Sequence, residues 1–402
     1  MKIGFDAKRL YNNFTGLGNH SRTTIDILTE EYPENQYYLY TPKLRLNGVT
    51  SPYLQKSGCR TVQPHGFLRG GLWRTFGLPA DLKRDGMELF HGLSNELPVG
   101  IHRTGIPSVV TIHDVAFRTF TNMYHWADRQ IYDLKWRYAV RHADRIIAIS
   151  ESTKRDIIRF YDIDESKIDV VYQPVNVRYY KDPLCPLDIS LSMGRAVRME
   201  NHPIEGEVTQ RGGEGLAERA YMLYVGSINS RKNLLGIVKA MELLPPDIDL
   251  PLYVVGNGHE YKREVQKYIV AHGMESRFRW LGDLTHDELQ QLYAHARLFI
   301  YPSFYEGFGL PVVEAMLSGC PVVSSHVSSL PEAAGPYSLL ADPSSPEDIA
   351  EKMLQALTDT ELRARMITGS RQYAMQTFHP TVLAQRLMEV YSKCSTLCSN
   401  VG

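Results

Sequence analysis

Two glutamates, Glu306 and Glu314, frame the segment of this sequence best equipped for chemistry. The run Tyr301-Pro-Ser-Phe-Tyr-Glu306-Gly-Phe-Gly-Leu-Pro-Val-Val-Glu314 reads as a strand stopped at Pro302, a glycine-rich loop, and a helix starting near Gly309. Pro311 falls in the first turn, where a missing N–H costs little. The amides of Gly307, Phe308, Gly309 and Leu310 would then point out of a helix N-terminus, which suits a phosphate. Glu306 lies beside that point and Glu314 within the next turn or two. A carboxylate accepts two hydrogen bonds well, as vicinal hydroxyls of a sugar or ribose require. A helix cap with one carboxylate near its dipole would account for Glu314. It would not account for Glu306 set beside two glycines.

Three further segments carry candidate groups. Gly226-Ser227-Ile-Asn-Ser-Arg231-Lys232 follows a strand pattern and precedes a helix, so two adjacent cations at a strand's carboxyl end could neutralise a diphosphate. Elsewhere such a pair would read as solvated surface charge. Thr111-Ile-His113-Asp114 ends another strand and offers an imidazole, although a lone histidine is more often a satisfied structural group. Thr15-Gly16-Leu17-Gly18-Asn19 follows the first strand. It lacks the third glycine of a dinucleotide fingerprint, since position 21 is Ser21, so close approach to a sugar phosphate fits better than NAD.

The elements that must hold these groups alternate between strand and helix patterns in two runs. The first has strands over 2–6, 37–40, 88–91, 108–113, 145–150 and 168–172, a loop over 11–18, a helix over 19–31 and a long helix between His113 and Arg145. The second has strands over 221–226, 252–255, 278–281, 298–301, 321–324 and 338–341, with helices over 233–244, 286–295 and 310–317 among those between them. Short apolar strands alternating with helices predict parallel sheets covered on both faces. Two such runs give an α/β chain of two Rossmann-like domains facing each other across a cleft. The expected division is an N-terminal domain over 1–180, a partly mobile Pro- and Gly-rich linker over 181–219, a C-terminal domain over 220–378, and a terminal helical segment over 379–402 that could pack back on the first domain.

Bulk composition narrows the function. At 402 residues the chain exceeds one hydrophobic core. A net charge of -1 carries no nucleic-acid signature. No stretch reaches the roughly 18 apolar residues of a spanning helix. Asp6 interrupts what a signal peptide would need as its apolar core. Cys59, Cys185, Cys320, Cys394 and Cys398 have no metal-ligand or redox spacing, so a reduced, cytoplasmic protein is expected.

Taken together, Glu306 and Glu314, the Gly226-to-Lys232 loop, His113-Asp114 and Gly16-x-Gly18 resemble the retaining glycosyltransferases of the GT-B fold, group 1 or family 4. The resemblance covers nearly the whole chain and is weakest over 181–219. It implies that Glu306 binds hydroxyls of the transferred sugar, Glu314 the ribose, Arg231 and Lys232 the diphosphate with help from the amides of Phe308 to Leu310, and that His113 contacts the donor sugar near the reacting carbon. Many relatives carry Arg directly after the glycine, where this chain has Ser227. The Arg231-Lys232-Asn233 run resembles a subgroup that includes bacterial polysaccharide mannosyltransferases.

The expected reaction is therefore retaining transfer of a hexose, on this resemblance mannose from GDP-mannose, to a glycan or lipid-linked acceptor in surface polysaccharide synthesis. A UDP-sugar donor, or an epimerase working without acceptor, remains the alternative. The Asp162-Ile-Asp164 and Asp247-Ile-Asp249 pairs fall at the amino ends of strands, away from the other candidates, so no metal and no cofactor are expected. Aromatic and basic residues mix over 67–84 and 124–145. Both stretches suit peripheral contact with an anionic bilayer at the inner face, and equally an amphipathic helix with a solvated basic face.

Overall fold

The computed structural model describes residues 1–64, 68–180, 221–282 and 284–399. The chain divides into two compact units, Met1–Val177 with Thr377–Gly402, and Arg178–Gln376. The stretch expected as a linker, 181–219, lies outside the described residues.

Unit 1 is built on strands β1 (Lys2–Asp6), β2 (Gln36–Tyr40), β3 (Cys59–Val62), β4 (Leu89–Gly92), β5 (Ser108–Ile112), β6 (Arg145–Ala148) and β7 (Ile168–Val170), in the spatial order 3-2-1-4-5-6-7. Every pairing is parallel; Ile3, for example, lies between Tyr37 and Leu89. β4 and β5 are buried along their whole length, so neither shows the alternation of a half-exposed strand. Unit 2 repeats the plan with β8 (Met222–Val225), β9 (Leu252–Val255), β10 (Phe278–Leu281), β11 (Leu298–Tyr301), β12 (Val322–Ser325) and β13 (Leu339–Ala341), in the order 10-9-8-11-12-13. Each sheet reverses its winding once, between β1 and β4 and between β8 and β11. In doubly wound sheets the crevice at the carboxyl ends of those two strands is the usual ligand site.

The main helices are α1 (Lys8–Asn12), α2 (Gly16–Glu31), α3 (Leu78–Arg84), α4 (Trp126–His142), α5 (Glu151–Tyr161), α6 (Leu234–Glu242), α7 (Glu260–Ala271), α8 (His286–His295), α9 (Leu310–Leu317), α10 (Pro346–Thr358), α11 (Thr360–Thr377) and α12 (Pro380–Ser399). Three expectations need correction. Residues 11–18 are not one loop: α1 ends within them and α2 already begins at Gly16, so the glycine pair forms a first helical turn. Strand β3 was absent from the sequence reading because only Val62 of its four residues is buried, which leaves no apolar run. The segment after His113 forms two short turns before α4 starts at Trp126.

Leu383, Ala384, Leu387, Val390, Tyr391 and Cys394 make the buried stripe of α12 and share a cluster with Ile3, Phe5, Val109 and Ile147 of unit 1. The Tyr391 hydroxyl is 2.7 Å from His91 Nδ1 of β4, and Lys393 pairs with Asp169 of β7 at 2.9 Å. The end of the chain thus helps close unit 1. In unit 2 the core runs from β8, β9 and β11 to α6 and α10, through Met222, Val254, Ile300, Ile237 and Met353.

Candidate functional site in unit 2

Three loops meet at the reversal point of unit 2. Gly256 has φ +142, and a Cβ there would run into the Gly226 carbonyl oxygen, so only glycine lets the β8 and β9 loops touch. The Ile228 amide donates to the Asn257 carbonyl at 2.8 Å and fastens the contact. Residues Ser230–Lys232 then form a single 3-10 turn, whose Lys232 amide donates to the Asn229 side chain at 3.3 Å. Asn233 follows in the left-handed region, and its side-chain amide donates to Pro302 and Pro343 carbonyls at 3.2 and 2.7 Å. This clamp sets the direction of Arg231 and Lys232.

Both cations meet Glu306, on the loop after β11. Lys232 Nζ lies 2.7 Å from Glu306 Oε1, and Arg231 Nη1 lies 3.1 Å from Oε2. The Tyr301 hydroxyl donates to the same carboxylate at 3.0 Å and accepts from Lys232, which also sits 4.8 Å from the centre of the Tyr301 ring. Lys232 and Glu306 are each only 8% exposed. Burial alone would raise the Glu306 carboxyl, but the charges of Lys232 and Arg231 prevail and hold it at about 2. Lys232 is pushed down by burial, against the pull of Glu306. Ser328 and Ser329 fix the loop from behind: their hydroxyls donate to the Glu306 carbonyl at 2.7 and 2.8 Å, and Ser329 also reaches the Phe308 carbonyl.

Gly309, at φ +116, precedes α9, which has no side-chain N-cap and no acidic residue in its first turn. Gly307, Phe308 and Leu310 flank it on the same connection. Glu314, one turn into α9, accepts from the Tyr293 hydroxyl at 3.2 Å. Burial pushes its carboxyl up to about 7, which that single hydrogen bond only partly offsets. The two glutamates are thus held in opposite protonation regimes. Ser227, in the loop after β8, is exposed and accepts from Asn229 Nδ2 at 3.1 Å.

Unit 1 holds the other candidates. His113, at the end of β5, is buried; its Nε2 donates to the Leu93 carbonyl at 2.9 Å and its amide to Asn95 Oδ1 at 2.7 Å. Burial pushes its imidazole down, so it stays neutral at pH 7 with Nδ1 as the lone-pair side. His20 of α2 packs edge-on against it, ring centres 4.5 Å apart, with neither of its own nitrogens hydrogen-bonded. Gly18 is explained by packing, because a Cβ would strike the Asn13 carbonyl, whereas Gly16 faces open space. The Asp162–Asp164 and Asp247–Asp249 pairs precede β7 and β9, and no group of three metal-ligating side chains exists among the described residues.

Sequence reasoning had named Arg231, Lys232 and Glu306, but not their mutual pairing. It missed Tyr301, Ser328, Ser329 and Asn233 as their supports, and His20 beside His113. Only the strand-end position of Tyr301 was a usable signal.

Residues 209–373 match the family described as Glycosyl transferases group 1, and residues 23–179 that described as Glycosyltransferase Family 4. The O-antigen chain mannosyltransferase B of Escherichia coli is 32% identical over 295 residues, 72% of this chain and 71% of that protein. The chain belongs to the group 1 glycosyltransferases. The serotype-specific mannosyltransferase WbdA of Escherichia coli is 29% identical over 58% of this glycosyltransferase, which spans only 27% of WbdA. Among solved structures, Anabaena HepE in complex with UDP and glucose aligns with a TM-score of 0.69 at 20% identity, covering 98% of this chain and all of that one. Sucrose-phosphate synthase from Thermosynechococcus elongatus aligns with a TM-score of 0.72 at 18% identity, covering 98% of each. These likenesses place the glycosyltransferase in the GT-B fold, with two Rossmann-like parallel-sheet units.

Proposed function

We propose that this glycosyltransferase moves mannose from GDP-mannose, with retention of configuration and without a metal, to a glycan or lipid-linked acceptor in surface polysaccharide synthesis. The observation that carries the donor site is the Arg231–Lys232–Glu306 cluster at the reversal point of unit 2. Lys232 has three N–H donors and directs two of them at Glu306 and Tyr301, so Glu306 sets the position of the ammonium that meets the diphosphate. Leaving-group charge is then stabilised by Lys232, Arg231 and the amides of Phe308, Gly309 and Leu310. Glu306 accepts from hydroxyls of the transferred sugar, Glu314 from the ribose, and His113 contacts the sugar as a neutral imidazole. Turnover undiminished by excess chelator is expected, and its loss would remove the metal-free scheme.

Mannose is favoured by the similarity to O-antigen chain mannosyltransferase B. A UDP-sugar donor is the second reading, favoured by the UDP bound in HepE. Calorimetric titration of GDP against UDP decides between them: the reading requires the tighter binding to be GDP. Product formation from GDP-mannose only when acceptor is present separates transfer from epimerisation.

Peripheral membrane contact belongs to the same proposal. Helix α4 exposes Trp126 and Leu134 by 68% and 71%, beside exposed Ile131, Lys135 and Arg141, a combination suited to an anionic bilayer. Co-sedimentation with liposomes that ignores anionic lipid content would remove this part. No helix among the described residues is long and apolar enough to cross a membrane.

A further inference from the structure

Glu314 is attended by phenols rather than by cations. Tyr293 of α8 is fully buried, and its hydroxyl donates to Glu314 Oε2 at 3.2 Å. Glu314 Oε1 has no partner among the described residues, and the residue is half-buried, so this oxygen is left for a ligand. A second phenol, Tyr179, packs edge-on against Tyr293 with ring centres 6.3 Å apart. Tyr179 is 1% exposed, and its hydroxyl is buried with no hydrogen-bond partner. A buried donor left unmatched lowers stability, so its retention calls for a use.

The backbone around Tyr179 is tied to the helix that carries Tyr293. Tyr179 lies in the 3-10 turn Val177–Tyr180, at the start of unit 2. Its neighbour Arg178 pairs with Asp287 in the first turn of α8, and the Arg178 carbonyl accepts from Gln290 Nε2 at 3.3 Å. Tyr221, just before β8, steadies the same helix through its hydroxyl, which donates to the Leu292 carbonyl at 2.9 Å. Burial, and then the Glu314 charge, raise both phenols well above their ordinary value, so each keeps its proton and stays a donor. Arg178 and Asp287 also act on Tyr179, in opposite directions. Glu314 itself is raised by burial and lowered by the Tyr293 hydrogen bond, with no cation to offset the burial as there is at Glu306.

We propose that Tyr293 and Tyr179 are positioning residues for Glu314: Tyr293 holds one carboxyl oxygen, and Tyr179 supplies the second hydroxyl to the carboxylate that takes up the ribose. This role rests on the reading of Glu314 as the ribose contact. A neutral carboxyl bonded once by Tyr293 has little need of Tyr179. A carboxylate in the same place accepts several donors, and bonds to it are stronger than bonds to the neutral acid. A small turn of the Tyr179 side chain, or one bridging water, completes the contact. Two phenols stabilise the ionised form without neutralising it, which leaves its charge and its free oxygen for ribose hydroxyls.

The test uses the full chain with Tyr179→Phe and Tyr293→Phe, each of which removes one oxygen and keeps the ring. The Glu314 carboxyl is followed by carbon-13 NMR without nucleotide, and GDP or UDP, whichever binds, is titrated by calorimetry from pH 5.5 to 9. Each variant loses a donor to the charged form, so the Glu314 midpoint should rise by about one pH unit. The rise of nucleotide affinity with pH should move up the scale with it, weakening binding about threefold near pH 7 and little at pH 9. Urea unfolding of Tyr179→Phe at pH 6 should match wild type, because the hydroxyl removed has no partner there. An unmoved midpoint in Tyr179→Phe overturns the role of Tyr179, and one in Tyr293→Phe overturns that of Tyr293. Lost stability at pH 6, or binding weakened equally at every pH, marks Tyr179 as structural only and overturns its role too. Wild-type affinity that ignores pH while the carboxyl midpoints move removes the ribose contact and leaves the hold of the two phenols on Glu314 standing.

Discussion

Replacing Glu306 by glutamine keeps the shape of the side chain and removes one charge from a cluster of three. The carboxyl moves from an ordinary value of 4.5 to about 2 in the fold, which corresponds to about 3 kcal/mol of stabilisation at neutral pH. Removing one partner of a buried ion pair costs a similar amount, about 3–5 kcal/mol, because the remaining charge stays buried. For a unit of this size that is a fall in Tm of roughly 6–12 °C. The pH dependence is the sharper check. A carboxyl held low contributes fully above 4.5 and loses its contribution as pH falls toward 2. By pH 3.5 about 2 kcal/mol of the advantage should remain, and little at pH 2. Urea unfolding of wild type and Glu306→Gln, followed at pH 7 and pH 3.5, measures both values. Equal stability at pH 7, or a difference that does not shrink in acid, would refute the account of the cluster.

Glu314 is shifted the other way. Its carboxyl titrates at about 7, and a carboxylate accepts hydroxyls better than the neutral acid, so nucleotide affinity should rise by up to about tenfold between pH 6 and 8. The rise should vanish in Glu314→Gln; a profile identical to wild type would exclude the ribose contact. Gly256→Ala should destabilise by more than about 2 kcal/mol, because the Cβ meets the Gly226 carbonyl and the backbone sits at φ +142; unchanged urea unfolding would sink that reading. The Glu306→Gln stability difference, set by buried charges, should change little between about 0.05 and 0.5 M NaCl.

The strands were legible because both sheets are covered on both faces. A strand such as Ser108–Ile112, buried at every residue, carries only aliphatic and small hydroxyl side chains, and five-residue runs of that kind bounded by turn residues are easily read. The edge strand Cys59–Val62 escaped for the converse reason: three of its four residues keep some contact with solvent, and sequence shows no pattern where burial imposes none. The start of α2 was hidden by its own glycines. Gly16 and Gly18 signal a loop by local preference, but Gly18 is required where the helix crosses the Asn13 backbone, a tertiary contact that no window of sequence contains.

The site divides along the same line. Arg231, Lys232, Glu306 and Glu314 could be named because strand-end position and residue type restrict what such groups can do. Their electrostatic state could not, since it depends on pairs 74 and 75 positions apart, Lys232 with Glu306 and Arg231 with Glu306. Two glutamates that look equivalent in sequence end with one carboxyl near 2 and the other near 7. Glu306 faces two cations, and Glu314 faces a phenol. The same contrast separates the two reversal points. In unit 2 the cations after β8 find a carboxylate after β11. In unit 1 the carboxylates Asp6, at the end of β1, and Glu96, after β4, are taken by Arg74, which arrives from a segment outside the βα rhythm. A parallel fold brings strand ends together by topology alone. Which of those ends carries an unbalanced charge is decided by side chains that arrive from elsewhere in the chain.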